Sequence, residues 1–206
     1  MMNKPILVTL TSPSASGKSY LLNYIRDEAK IPCLVSTTTR KPRANEIHGR
    51  DYYFISEEES LALEKEDQFA ELVTYDKTRY GVTKKELSEK LARGLTFLIV
   101  EPSGIDAYIK PIKEAGAYHL PYYVHAPTEI RIQRMKERLL QDILNCETRE
   151  CCEKLVSVHV DRIVKMFTEE MKWFTSQGWQ RVLFGTTSPE ENLKIILNDI
   201  HKIRQS

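Results

Sequence analysis

Five apolar runs of strand length punctuate the chain: residues 6–11, 32–35, 96–100, 122–124 and 181–184. Helix-period segments separate most of them. The clearest lies near the C-terminus, where Leu193, Ile196, Leu197, Ile200 and Ile203 recur on one helical face. Ser188-Pro189-Glu190-Glu191 opens that helix with a capping box and a proline at its first position. Continuous apolar strands alternating with amphipathic helices predict a parallel sheet covered on both faces. Residues 36 to about 92 are more polar, with short strand candidates at 51–54 and 69–73. Two further capping boxes there, Ser56 with Glu59 and Thr83 with Glu86, each predict a helix start. The stretch from Pro127 to Gly178 is helical and charge-dense. In it Val160, Ile163, Val164, Phe167, Met171 and Phe174 form a stripe that predicts core packing, and aperiodic residues 142–153 predict a mobile flap.

Composition changes this picture little. The chain of 206 residues, 41% hydrophobic and 29% charged, is long enough for one α/β core with insertions. Thirty basic against 29 acidic residues give a net charge of +1, so no global field points to nucleic acid or an anionic membrane. No run reaches membrane-spanning length, and no secretory leader is visible. Cys33, Cys146, Cys151 and Cys152 follow no disulfide framework, which predicts free thiols in a cytoplasmic setting. The cluster of Cys146, Cys151, Cys152 and His159 lacks a C-x-x-C knuckle, which argues against zinc.

Chemistry starts at the first strand. Residues 6–11 run into Ser12-Pro13-Ser14-Ala15-Ser16-Gly17-Lys18-Ser19, a small-residue loop before a helix. That is the layout of a phosphate cradle, in which backbone N–H groups of Ser14–Ser19 and the helix N-terminus surround an anion. Lys18 would reach the outer phosphates and the Ser19 hydroxyl would ligate magnesium. Ser12 stands where the usual pattern has its first glycine, which questions the loop's conformation because serine resists positive φ. After the second apolar run, Arg40 and Arg43 bracket Pro42 and can converge two guanidinium forks on one tetrahedral anion.

Residues 36–54, with Ser36, Thr39, Arg40, Pro42, Arg43, Glu46, Gly49, Asp51, Tyr52 and Phe54, resemble the nucleoside monophosphate-binding segment of the guanylate kinase family. Following a phosphate loop, they identify the chain as similar to that family. The resemblance implies that Arg40, Arg43, Tyr52 and Tyr80 hold the acceptor monophosphate. It implies that Glu71 faces the base, since guanine's two adjacent donors suit one carboxylate, and that Ser36 meets the guanine carbonyl. After Tyr80-Gly81 the family usually has serine or threonine, and this chain has Val82, which opens the question of relaxed base preference. Glu101, ending the third apolar run, is the nearest equivalent of the family's aspartates, for the acceptor site or a second-shell contact to magnesium. Arg134 and Arg138, one turn apart, match the family's lid, and Arg162 with Glu169 reproduces its later Arg/Glu pair. The lid exceeds the family's usual length. The adenine pocket stays unread, because Gly185-Thr186-Thr187-Ser188 replaces a common Asn-x-Asp.

The expected fold is therefore α/β: a P-loop NTPase core with a parallel sheet of about five strands sandwiched by helices, plus a monophosphate-binding insertion and a helical lid. As one domain over 1–206, its core takes 1–35, 93–126 and 179–206, the insertion 36–92 and the lid 127–178. The implied reaction is phosphoryl transfer from magnesium-ATP to GMP or dGMP, with no organic cofactor, no nucleic acid and no membrane partner; monomer and homodimer both stay open. Two other readings are a broader deoxynucleoside monophosphate kinase and a non-catalytic binding module on the same scaffold.

Overall fold

The computed structural model describes residues 4–42, 46–75, 78–100, 105–165, 168, 172, 174 and 178–205. Its centre is β1 (Ile6–Thr11), whose six residues are all buried. Side chains alternate across a strand, and here the alternation builds two cores. Ile6, Val8 and Leu10 meet Leu21 and Ile25 of α1 (Lys18–Asp27) and Leu193, Ile196 and Ile200 of the C-terminal helix. Leu7 faces the other way, into Leu34, Val82, Leu87, Leu98, Tyr108 and Ile112. Each large apolar side chain taken fully from water contributes roughly 1.5–3 kcal/mol, so a strand buried on both faces anchors the fold.

β1 pairs in parallel with β6 (Leu95–Ile99) on one side and β7 (Tyr118–His125) on the other, and β7 pairs with β8 (Val182–Phe184), giving the order β6-β1-β7-β8. The apolar run at 32–35 adds a fifth member at the β6 edge, reduced to a single bridge between Cys33 and Phe97. Pro32 has no N–H to give; its carbonyl accepts from Phe97, and Leu34 donates back to the Phe97 carbonyl. The connection leaving β1 runs to the 32–35 edge and the one leaving β6 runs the other way to β7, so a crevice opens at the carboxyl ends of these neighbouring strands, where open α/β sheets bind ligands.

A second sheet, order β3-β2-β5-β4, stands over that crevice. It consists of β2 (Thr37–Thr38), β3 (Tyr53–Phe54), β4 (Phe69–Tyr75) and β5 (Thr78–Thr83). Sequence pattern did not point to β5, whose polar residues form a strand by pairing antiparallel with β4 and β2. α2 (Glu57–Lys65) starts in a complete Ser56/Glu59 capping box. At α3 (Lys84–Leu91) the box is half made: Thr83 caps the Glu86 N–H, but the Glu86 carboxylate turns to accept from the Val35 N–H at 3.0 Å. A buried carboxylate finds that backbone donor more useful than a solvent-facing cap.

α4 (Ile109–Glu114) precedes β7, and α5 (Thr128–Leu144) and α6 (Arg149–Lys165) form a hairpin. The segment expected to be a flap is thus two helix ends joined by residues 145–148. A Cys146–Cys151 disulfide spans that turn, so those two cysteines are bonded rather than free; Cys33 and Cys152 remain thiols. Val160 and Val164 are half exposed, which corrects the predicted core stripe, whereas Phe174 is buried against Tyr123; Phe167 and Met171 lie outside the described residues. α7 (Pro189–Gln205) begins at its proline, with the Ser188 hydroxyl capping the Glu191 N–H. Leu197 leaves its predicted apolar face and is 40% exposed. No helix among the described residues is long and apolar enough to cross a membrane.

Candidate active site

The loop after β1 carries its positive φ angles at Ala15 (63°) and Gly17 (101°), not at Ser12. The missing first glycine therefore costs the backbone nothing. Ser12 is buried with its hydroxyl on the Pro13 carbonyl, and its own carbonyl accepts from Lys18 Nζ at 3.0 Å. Gly17 N-caps α1 without a side-chain cap, which leaves first-turn N–H groups directed at the crevice. Gly185, just past β8, fixes the loop from behind: a Cβ there would lie 1.7 Å from the Ser16 carbonyl oxygen. Arg134 of α5 closes the interlock, donating to the Ala15 carbonyl at 3.1 Å and the Gly185 carbonyl at 2.8 Å.

A cavity of about 470 Å³ connects this loop to the second sheet and to α5. Residues Ser14–Ser19 form its floor, together with the exposed ring of Tyr20. Ser36, Arg40, Tyr52, Glu71 and Tyr80 line the opposite wall, and Arg134 and Arg138 enter from α5. Arg43, Glu101 and Glu169 lie outside the described residues. Arg162 is on α6, with its side chain also outside them.

Arg40 is held before any ligand arrives. Its two terminal nitrogens donate to the two Glu46 carboxylate oxygens at 2.8 and 2.9 Å, a bidentate fork, and it stacks on Tyr52 and Phe54 at 5.4 and 5.8 Å. Threonines tie this wall together: Thr37 Oγ1 donates to the Gly81 carbonyl, Thr38 Oγ1 accepts from the Arg40 N–H, and Thr39 Oγ1 accepts from the Arg79 N–H. The β4–β5 register shifts between Phe69 and Glu71. Gly81 packs so tightly there that a Cβ would lie 2.6 Å from the Glu71 carbonyl oxygen.

Glu71 is 7% exposed yet lines the cavity, where an isolated strand residue would more ordinarily face solvent. Its Oε2 accepts from the Tyr108 hydroxyl at 2.8 Å. Burial pushes its carboxyl up to about 7, and the tyrosine hydrogen bond pulls it down. Val82 has no exposed surface and belongs to the core under β1, not to the cavity wall. Tyr108, Tyr20 and Gly185 escape sequence reading as site residues. Tyr108 sits in a 3-10 turn (Asp106–Tyr108), and only the folded chain brings it to Glu71.

The phosphate loop offers serine hydroxyls of the kind a hard divalent cation accepts. Ser16 Oγ is buried without a hydrogen-bond partner and its residue lines the cavity, as does Ser19. His119, at the other end of β1, is remote in role: its Nε2 meets Thr9 Oγ1 at 2.8 Å, and burial lowers its pKa to about 4.

The profile of the guanylate kinase family matches residues 3–158. The chain is 31% identical over 155 residues to the guanylate kinase of Mycoplasma mobile, covering 73% of this chain and 75% of that one. It is 31% identical over 136 residues to that of Prochlorococcus marinus, covering 65% and 72%. A guanylate kinase structure from Anaplasma phagocytophilum superposes with a TM-score of 0.64 at 19% identity, over 100% of this chain and 89% of that one, a likeness in fold.

Proposed function

The chain belongs to the guanylate kinase family, and from that premise we propose that it transfers the γ-phosphoryl group of magnesium-ATP to GMP or dGMP. One observation carries the reading: phosphate loop, base-facing Glu71 and arginine-bearing α5 share a single cavity. Phosphoryl transfer asks little covalent chemistry of a protein; it asks that two anions be placed in line and neutralised. Ser14–Ser19 hold the donor phosphates, with Lys18 swinging from the Ser12 carbonyl to the outer ones. Arg40, Tyr52 and Tyr80, joined by Arg43, hold the acceptor phosphate, while Ser36 and Glu71 read the base. Arg134, Arg138 and Arg162 offset charge developing on the transferred group. Ser19, with Ser16 beside it, would hold magnesium, which supplies further charge neutralisation. Glu101 remains an acceptor-side or second-shell candidate. The functional unit we infer is the whole of 1–206, with insertion 36–92 and lid 127–178 on the core.

Val82 is Glu71's partner across the β4–β5 ladder and packs with Tyr108, so an apolar side chain beside the base-reading carboxylate replaces the hydroxyl usual in the family, and a panel of bases tests its effect. The test is ADP release from ATP and magnesium with GMP, dGMP, AMP, dAMP, dCMP, dTMP and UMP. GMP or dGMP should turn over well above the rest, and Lys18→Ala should lower kcat/KM by about a hundredfold or more. Comparable turnover of several bases would replace the reading with a broad kinase. No turnover by folded protein would replace it with a binding module.

A further inference from the structure

We propose that Tyr108 is a positioning residue for base selection: its hydroxyl favours the acceptor-only form of the Glu71 carboxylate facing the cavity, and so favours a donor–donor purine edge over a donor–acceptor one. The inference rests on the GMP kinase reading and deepens it.

Glu71 and Tyr108 come from opposite sides of the crevice, β4 and the turn before α4. Both line the cavity, and they meet at 2.8 Å where both are more than nine-tenths buried. A carboxylate presents two oxygens with about four lone-pair directions. Tyr108 takes one direction on Oε2, which leaves Oε1 and the far side of Oε2 for two donors. Guanine's pairing edge has two, the ring N–H and the amine. Adenine pairs one donor with one acceptor, and suits a protonated carboxyl instead. Two bases are thus separated by one proton on Glu71. Burial favours that proton; a phenol donating to the oxygen opposes it, since a hydrogen bond to the charged form favours the charged form.

Other charges packed around Glu71 are committed elsewhere. On β5, Arg79 pairs with Glu64 at 2.6 Å. On α3, Glu86 serves the Val35 N–H and Lys90 pairs with Glu86, while Lys84 pairs with Asp67. On the turn itself Asp106 is exposed. Across the cavity Arg40 is forked onto Glu46 and Tyr80 stands against Tyr52. Tyr108 is the group that bonds the carboxylate directly. Its ring packs with Leu7, Leu34 and Val82, so phenylalanine can keep the packing and lose the hydroxyl alone.

Tyr108→Phe is therefore the variant, measured by GMP and AMP kinetics from pH 6 to 9 and by the carboxyl-carbon NMR titration of labelled glutamates, with Glu71→Gln identifying the Glu71 signal. The Glu71 midpoint should move upward. KM for GMP should rise about tenfold at pH 7 and approach wild type at pH 9, with kcat within about threefold. The GMP-to-AMP preference should fall. An unmoved midpoint, or a wild-type pH profile and base ratio in the variant, overturns the inference. The NMR arm needs no turnover, so wild-type protein that ignores GMP would overturn the kinase reading separately.

Discussion

At the scale of single residues, Glu71 sets stability against function. Its carboxyl is raised to about 7 from an ordinary value of 4.5. The folded state then keeps a proton that the unfolded state releases, so stability falls as pH rises from about 4.5 to about 7 and stays lowered above it. The loss is on the order of 3 kcal/mol. Glu71→Gln removes the titration while leaving Tyr108 an acceptor. At pH 8 it should melt roughly 5 °C or more above wild type, with the gap closing at pH 5, and it should lose GMP turnover. Parallel melting curves for both proteins across that range would refute this account. Glu71 also shows where sequence reading stops: alternation placed it on a strand, and family likeness gave it a role, but burial and the Tyr108 partner come from a chain crossing that no local pattern encodes.

At the scale of elements, the two sides of the cavity each rest on a glycine pressed against backbone. Gly185→Ala drives a Cβ into the Ser16 carbonyl and should displace the phosphate loop, raising KM for ATP. Gly81→Ala presses on the Glu71 carbonyl and should raise KM for GMP instead. Each should cost about 1–3 kcal/mol of stability and up to about a hundredfold in kcat/KM, and steady-state kinetics in each substrate would separate them; equal effects on both KM values would contradict it. Elements with strong local signals were legible: β1, the helix after the phosphate loop, and the capped starts of α2 and α7. Legibility failed where partners decide. β5 is a strand because β4 and β2 flank it, the run at 32–35 shrinks to a bridge at its proline, and Val160 and Val164 keep helical period without a core to face. The proximity of Cys146 and Cys151 follows from how α5 turns into α6, which spacing alone does not encode.

At the scale of the whole molecule, the core, second sheet and α5 contribute walls to one cavity. Nucleotides bound there should be coupled. GMP or ADP alone, at about a hundred times its Kd, should stabilise the fold by ~2.7 kcal/mol. Melting with both present should depart from the sum of the two shifts, and strict additivity would mean two independent sites. Surface pairs help hold the second sheet to the core: Arg26 of α1 reaches Asp51 at 3.5 Å and Arg50 reaches Asp27 at 3.0 Å. The first pair is partly covered and the second exposed; pairs near the surface are worth little individually, so the orientation of the two sheets should respond more to ligand than to salt.

The cysteine arrangement makes the hairpin addressable. Burial pushes the Cys33 thiol up to about 12, and Cys146 and Cys151 are bonded to each other. Cys152, partly exposed in the first turn of α6, is then the one thiol among the described residues open to alkylation. Under non-reducing conditions a maleimide dye should attach once per chain, at the base of α6, reporting hairpin position during turnover without any engineered cysteine.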